Sequence, residues 1–161
     1  MKLISDTLRD ALIEQWSHEV KNSHIYLNVE SFLSGKGLDN LAKIFEEQHS
    51  EEQGHAKIIF DLLKDLNVVV TIPTVESLQK NMSNIMDVAE LYLEREISTT
   101  QSLISLKDLA IEDGNGIVEE VMRNMISKQQ VEYAEATLFM DRASICGNDW
   151  KAVFMWDIGI G

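Results

Sequence analysis

An all-α bundle of four long helices, with a long crossing between the second and third, is the fold class this sequence predicts. Three observations predict it. Apolar residues recur at three- and four-residue spacing along four extended stretches, as they must if each stretch turns one face to a shared core. Between the second and third stretch lies a segment too long for a tight hairpin turn, and it can carry the chain back along the bundle. Near the middle of each apolar face stand residues that a core does not normally take: Glu19, Tyr26, Glu52, His55, Glu96, Gln129 and Glu132.

The first helix is predicted over residues 6–34, with Leu8, Leu12, Glu19, Tyr26 and Leu33 on its inner face and Gly35 and Gly37 to end it. The second, over 38–66, has the cleanest pattern: Leu41, Phe45, Gln48, Glu52, His55, Ile59, Leu62 and Leu66. Residues 67–82 break the periodicity with Val68-Val69-Val70, Thr71 and Pro73. The valines favour a strand, but one short strand without a partner is unstable, so the segment reads as a connection packed along the helices. A third helix is predicted from 83 or 84 to 111, with Met86, Ala89, Leu93, Glu96, Thr100, Leu103 and Ala110 on or near the inner face. Asp113-Gly114-Asn115-Gly116 then makes a turn. The fourth helix, 117–144, carries Val118, Met122, Ile126, Gln129, Glu132, Ala136, Met140 and Ala143, and Gly147 gives the exit. A short helix over 149–156 follows, whose Trp150, Val153, Phe154, Met155 and Trp156 serve either to dock it on the bundle or to make a subunit contact.

The chain has 161 residues, 45% of them hydrophobic, which is enough for one domain over residues 1–161 with a substantial core. Fourteen basic and 27 acidic residues give a formal charge of -13, which argues against nucleic acid and anionic membranes as partners. The single cysteine, Cys146, rules out an intrachain disulfide framework. The first residues lack a signal-peptide core and no run has the length to cross a bilayer, so a cytoplasmic location is expected.

Glu52-x-x-His55 puts a carboxylate and an imidazole one helical turn apart on the same face. Such spacing is common on solvated surfaces. Here Glu19, Glu96 and Glu132 occupy comparable inner phases on the other helices, and burying so many ionisable groups needs metal charge or an extensive hydrogen-bond network. Glu94 is offset from Glu96 by two residues and points away. Gln129 fits the core phase better than Gln130, because that phase also turns Met122 and Ile126 inward and leaves Arg123 out. Tyr133 is expected to flank the cluster. His18, His24 and His49 are candidates for transit or surface metal only, and Asp61, Asp65, Asp108 and Glu112 for the lining of an acidic interior.

Taken together these residues resemble a non-haem ferritin of the bacterial type, within the ferritin-like superfamily. The resemblance covers residues 6–147 and rests on Glu19 with Tyr26, Glu51-Glu52-x-x-His55, Glu96-x-x-x-x-Gln101, Ser127-Lys128-Gln129-x-x-Glu132 and the closing run from Phe139 to Gly147. It implies a ferritin-like four-helix bundle that binds two iron ions per subunit. Glu19, Glu52 and His55 would form one iron position, with Glu52 bridging to a second completed by Glu96 and Glu132; of the two catalytic residues implied, Gln129 would hydrogen-bond or help place an oxygen-derived ligand and Tyr26 would sit nearby as a hydrogen-bonding or electron-donating group. The implied activity is ferroxidase oxidation of Fe(II) by O2 or hydrogen peroxide, with storage of ferric oxo-hydroxide in a hollow homo-oligomer of 24 subunits. Helix four lacks a second carboxylate-x-x-His pair, which separates the chain from the haem-containing branch, and no haem is expected.

A third metal position common among bacterial relatives is withheld. Glu51 keeps one acidic position of that pattern, but Lys128 and Val131 stand where two more carboxylates are customary. Two other functions use the same residues differently: a di-iron oxidoreductase or peroxide-reducing protein that stores nothing, and an oligomeric scaffold whose metal site has degenerated.

Overall fold

The computed structural model describes residues 3–77 and 80–161. Residues 78 and 79 of the expected connection, and the first two residues of the chain, lie outside them. Five helices follow one another: α1 Asp6–Gly35, α2 Asp39–Asp65, α3 Ile85–Glu112, α4 Gly116–Cys146 and α5 Trp150–Ile160. Among the described residues there is no strand, and no helix is long and apolar enough to cross a membrane.

Local chemistry sets the helix ends. Ser5 caps α1 by accepting from the Leu8 amide. At α3, Asn84 accepts from the Asp87 amide while the Asp87 carboxylate accepts from the Asn84 amide. This capping box starts the helix at Ile85, later than the expected 83 or 84, because the cap residue itself is extended. Gly37 and Gly114, at φ 75° and 65°, close the α1–α2 and α3–α4 turns.

α1 packs mainly on α2, and α3 on α4. His18 meets Thr99, whereas Tyr26, further along α1, meets Glu96 and Tyr92, so α1 and α3 are antiparallel. His55 lies by Glu19 and Phe45 by Tyr26, so α1 and α2 are antiparallel too. α2 and α3 therefore run parallel, which a short turn cannot achieve and the long connection does. The connection lies against the bundle through Val68 and Val70, while Val69 between them is exposed.

Two apolar clusters fill the bundle. One is aliphatic, built on Leu8, Leu12, Ile59, Leu63, Leu103 and Met122. The other is aromatic: Tyr26, Phe45, Tyr92 and Phe139 meet edge-on or tilted at centroid distances of 5.1–5.9 Å. The polar residues of the four helices lie between the two.

The tail packs back on the bundle and is longer than the expected 149–156. Val153 is buried and Trp156 packs at a tilt on Phe139 with ring centroids 4.9 Å apart, leaving Phe154, Met155 and Ile158 exposed. Asp157 gives the extra turn its purpose. The residue preceding α2, Leu38, offers no side-chain cap, and the buried Asp157 carboxylate supplies one from α5 by accepting from the Leu41 amide at 2.7 Å.

Candidate metal centre

Each helix delivers its polar residue by the same means: an apolar stripe buries one face, and the carboxylate at its centre goes in with it. Glu19, Glu52 and Glu96 are fully buried, and Gln129 and Glu132 nearly so. Glu94 and Gln130, at the rejected phases, are exposed. The buried groups converge. Glu19, Glu52 and His55 each present a ligand-capable atom within 4.8 Å of the others, and so do Glu52, Glu96 and Glu132. Glu52 belongs to both groups. Among the described residues these are the two such clusters of carboxylate and imidazole.

His55 sits inside the carboxylates. Its Nδ1 is 3.5 Å from Glu52 Oε2 and 3.7 Å from Glu19 Oε2, and its Nε2 is 3.3 Å from Glu132 Oε1. Tyr26 and Gln129 both act on Glu96: the phenol donates to Oε1, and the Gln129 amide donates to Oε2 and to the Glu96 carbonyl. Several acceptors are left over. Both oxygens of Glu52, Oε2 of Glu19 and Oε2 of Glu132 are buried without a hydrogen-bond partner, a condition that bound cations relieve.

Without metal, protons hold the cluster together. Burial raises Glu52 well above the ordinary carboxylate range, and the neighbouring Glu19 adds to it. Burial also opposes ionisation of Glu19, but Glu52, His55 and Gln15 outweigh it and hold Glu19 down at about 2. For His55, burial favours the neutral ring, yet Glu19 and Glu52 overcome it and push the pKa up to about 11. Glu132 is raised to about 8 by burial, against the pull of His55 and with the charges of Glu96 and Glu51 adding. Glu96 is raised by burial, moderated by Tyr26 and Gln129. A buried cluster of this kind carries protons that a pair of cations would displace.

Between α2 and α4 a cleft of about 440 Å³ opens beside the cluster, lined by His55, Glu132, Glu51, Lys128, Val131 and Glu135. Glu51 is exposed and its carboxylate accepts weakly from Gln48 at 3.4 Å, and neither Lys128 nor Val131 is drawn into the buried cluster. Tyr133 is exposed on α4. Asp61 pairs with Lys57 and Lys64, and Asp108 with Lys107, while Asp65 and Glu112 are exposed.

Some residues take roles that the sequence reading did not give them. Gln15 is buried and donates to Glu19 Oε1 at 2.9 Å; its position one turn before Glu19 was the available signal. His18 is half-buried at the edge of a surface cavity. Its ring reaches Thr99 and Arg95 across the α1–α3 contact. His49 turns Nδ1 to the Ser23 carbonyl, and His24 is exposed.

The ferritin-like domain family matches residues 9–144 of the chain. Ferritin BfrB of Mycolicibacterium smegmatis is 30% identical over 145 residues, spanning 89% of this chain and 80% of the relative. A bacterial non-heme ferritin of Staphylococcus saprophyticus is 24% identical over 155 residues, spanning 96% and 93%. In fold, the chain superposes with a TM-score of 0.92 on an open pore ferritin from the archaeon Archaeoglobus fulgidus, at 22% identity over 99% of this chain and 98% of the other. With its bundle, crossing and short fifth helix, the chain belongs to the ferritin-like domain family as a non-haem ferritin of the bacterial type.

Proposed function

We propose that this chain oxidises Fe(II) at a two-iron centre and, within a hollow homo-oligomer, stores the ferric product. The observation that carries the reading is the pair of ligand-capable groups sharing Glu52. Glu19 and His55 hold one iron and Glu96 and Glu132 the other, with the Glu52 carboxylate between them. Carboxylate oxygen suits a substrate that leaves as Fe(III), and the imidazole supplies one nitrogen of intermediate softness. Gln15, Tyr26 and Gln129 do not bind iron in this scheme; they orient Glu19 and Glu96 by hydrogen bonds.

The electron balance requires the pair. Each Fe(II) gives one electron, so two together reduce O2 to hydrogen peroxide with uptake of two protons, or reduce hydrogen peroxide to two waters. The protein's part is to hold the two ions at fixed spacing and to release protons from His55 and the buried carboxylates as they bind. The α2–α4 cleft, with Glu51, Glu132 and Glu135 on its walls, gives Fe(II) an acidic approach to the centre. Assembly into 24 subunits and a cytoplasmic site of action follow from the family reading and belong to the same proposal.

The test combines particle mass with iron titration. Anaerobic Fe(II) is added to the assembled protein, O2 is then admitted, and oxidation and retained iron are measured per particle. Retention far above two irons per chain supports storage. Two per chain with no further accumulation favours an oxidoreductase, and an assembled particle that binds no Fe(II) indicates a scaffold.

A further inference from the structure

Behind the carboxylate cluster, α1 and α3 are joined by four polar side chains that the iron chemistry does not use. Thr99 is fully buried, and its hydroxyl donates to the Arg95 carbonyl at 2.9 Å. A hydroxyl has one proton, so its remaining contacts must be accepted ones. The Asn22 amide donates to it at 2.9 Å, and His18 Nε2 lies 2.7 Å away. His18 therefore carries its proton on Nε2, and the bare Nδ1 faces Arg95 Nη2 at 3.3 Å. Arg95 Nε closes the circuit by donating to Asn22 Oδ1 at 2.7 Å. Every member has one set of roles, so the network admits a single arrangement.

Its placement is regular. On α1, His18 directly precedes Glu19 and Asn22 follows it by one turn; on α3, Arg95 directly precedes Glu96 and Thr99 follows it by one turn. α1 and α3 touch much less extensively than α1 and α2 or α3 and α4, so each contact between them weighs more in fixing their separation. We propose that Thr99 is a positioning residue whose hydroxyl, with His18, Asn22 and Arg95, clamps α1 to α3 and sets the spacing of Glu19 from Glu96. Those two carboxylates lie on opposite iron positions, so the clamp sets the distance between the irons. The inference rests on the two-iron reading above.

Thr99→Val keeps the shape and removes the hydroxyl, leaving Asn22 and His18 without their acceptor, whereas Thr99→Ser keeps the hydroxyl. Both are compared with the unchanged chain in the assembled protein by anaerobic Fe(II) titration, initial oxidation rate and Mössbauer spectroscopy of the freshly oxidised centre. Thr99→Val is expected to oxidise Fe(II) roughly tenfold more slowly, the low end of the range for residues that support a metal centre without binding it. The exchange-coupled ferric pair should give way to uncoupled ferric ions, and Thr99→Ser should recover both rate and coupling. A Thr99→Val protein with unchanged rate and spectrum overturns the proposal, and so does Thr99→Ser as impaired as Thr99→Val, which would mean a packing role. If Thr99→Val does not fold, Arg95→Met carries the test from a less buried position: loss of coupling supports the clamp and full coupling overturns it. Fewer than two Fe(II) bound by the unchanged chain would remove the two-iron reading and the clamp with it.

Discussion

The wall of the carboxylate cluster between α1 and α3 is built of groups that satisfy one another, whereas on the wall between α2 and α4 two members of the cluster itself border a cleft. On the first side a surface cavity of about 570 Å³ is lined by Gln15 and His18, whose side chains are tied to Glu19 and Thr99. On the second, His55 and Glu132 line a cleft together with Glu51, Glu135 and Lys128. A centre that passes ions through itself, as proposed for this chain, needs both kinds of wall. Fixed geometry demands saturated hydrogen bonds behind the ligands, and exchange demands ligands that border a cleft.

The largest effect should come from the residue common to both positions. Glu52→Ala removes the shared carboxylate, and paired oxidation followed by rapid-mixing absorbance should fall by more than about 100-fold, beyond the usual effect of losing a residue behind a ligand. Unchanged oxidation would remove the bridging role.

Protons test the cluster next. The raised pKa values of His55, Glu52 and Glu132 mean that the metal-free chain holds protons there near neutrality. Binding an iron pair at pH 7 should release about three protons, one from each of these groups, read with an indicator dye in weak buffer. Folding follows the same signs. The stabilising contribution of His55 is fully present below its ordinary 6.5 and is lost as pH rises through about 11, and that of Glu132 is lost between 4.5 and about 8. Glu19, held down at about 2, acts in the opposite sense and matters only as pH falls below 4.5. The Tm of the metal-free protein should therefore decline from about pH 6 to about pH 9, with the metal-loaded protein declining less. A flat metal-free profile would contradict this proton distribution.

The wall with the cleft predicts a smaller effect. Lys128→Glu exchanges a cation for a carboxylate in the cleft, and should speed Fe(II) uptake about threefold at low ionic strength and hardly at all in high salt. No change at low salt would place the approach elsewhere. Smallest for the chemistry, and a control lying on neither wall, is Asp157→Ala. Loss of the cap on α2 should lower stability by about 1–2 kcal/mol in thermal or denaturant unfolding while leaving the oxidation rate of the folded protein intact. A changed rate would mean that α5 reaches the centre.

The two walls also differ in how far the sequence reveals them. Helical phase alone turned Glu96 inward and Glu94 outward, and chose Gln129 over Gln130, because each choice also decides where neighbouring leucines, methionines and Arg123 fall. The bundle's parallel α2 and α3 were likewise implied by the length of the connection. The α1–α3 network was not legible, because its partners lie far apart in the chain and neither His18 nor Thr99 has a local spacing that announces the other. Asp157 was hidden for a similar reason. Nothing in the sequence around a lone aspartate near a chain end points to the amide it caps, Leu41, more than a hundred residues away.

The central claim is that this chain arranges two iron positions around Glu52 and no third beside Lys128. Anomalous diffraction at the iron edge, from crystals loaded with Fe(II) without oxygen, measures it most directly. Two peaks per subunit are predicted, one between Glu19 and His55 and one between Glu96 and Glu132, with Glu52 reaching both. A single peak, or a third ordered ion near Glu51, would contradict it.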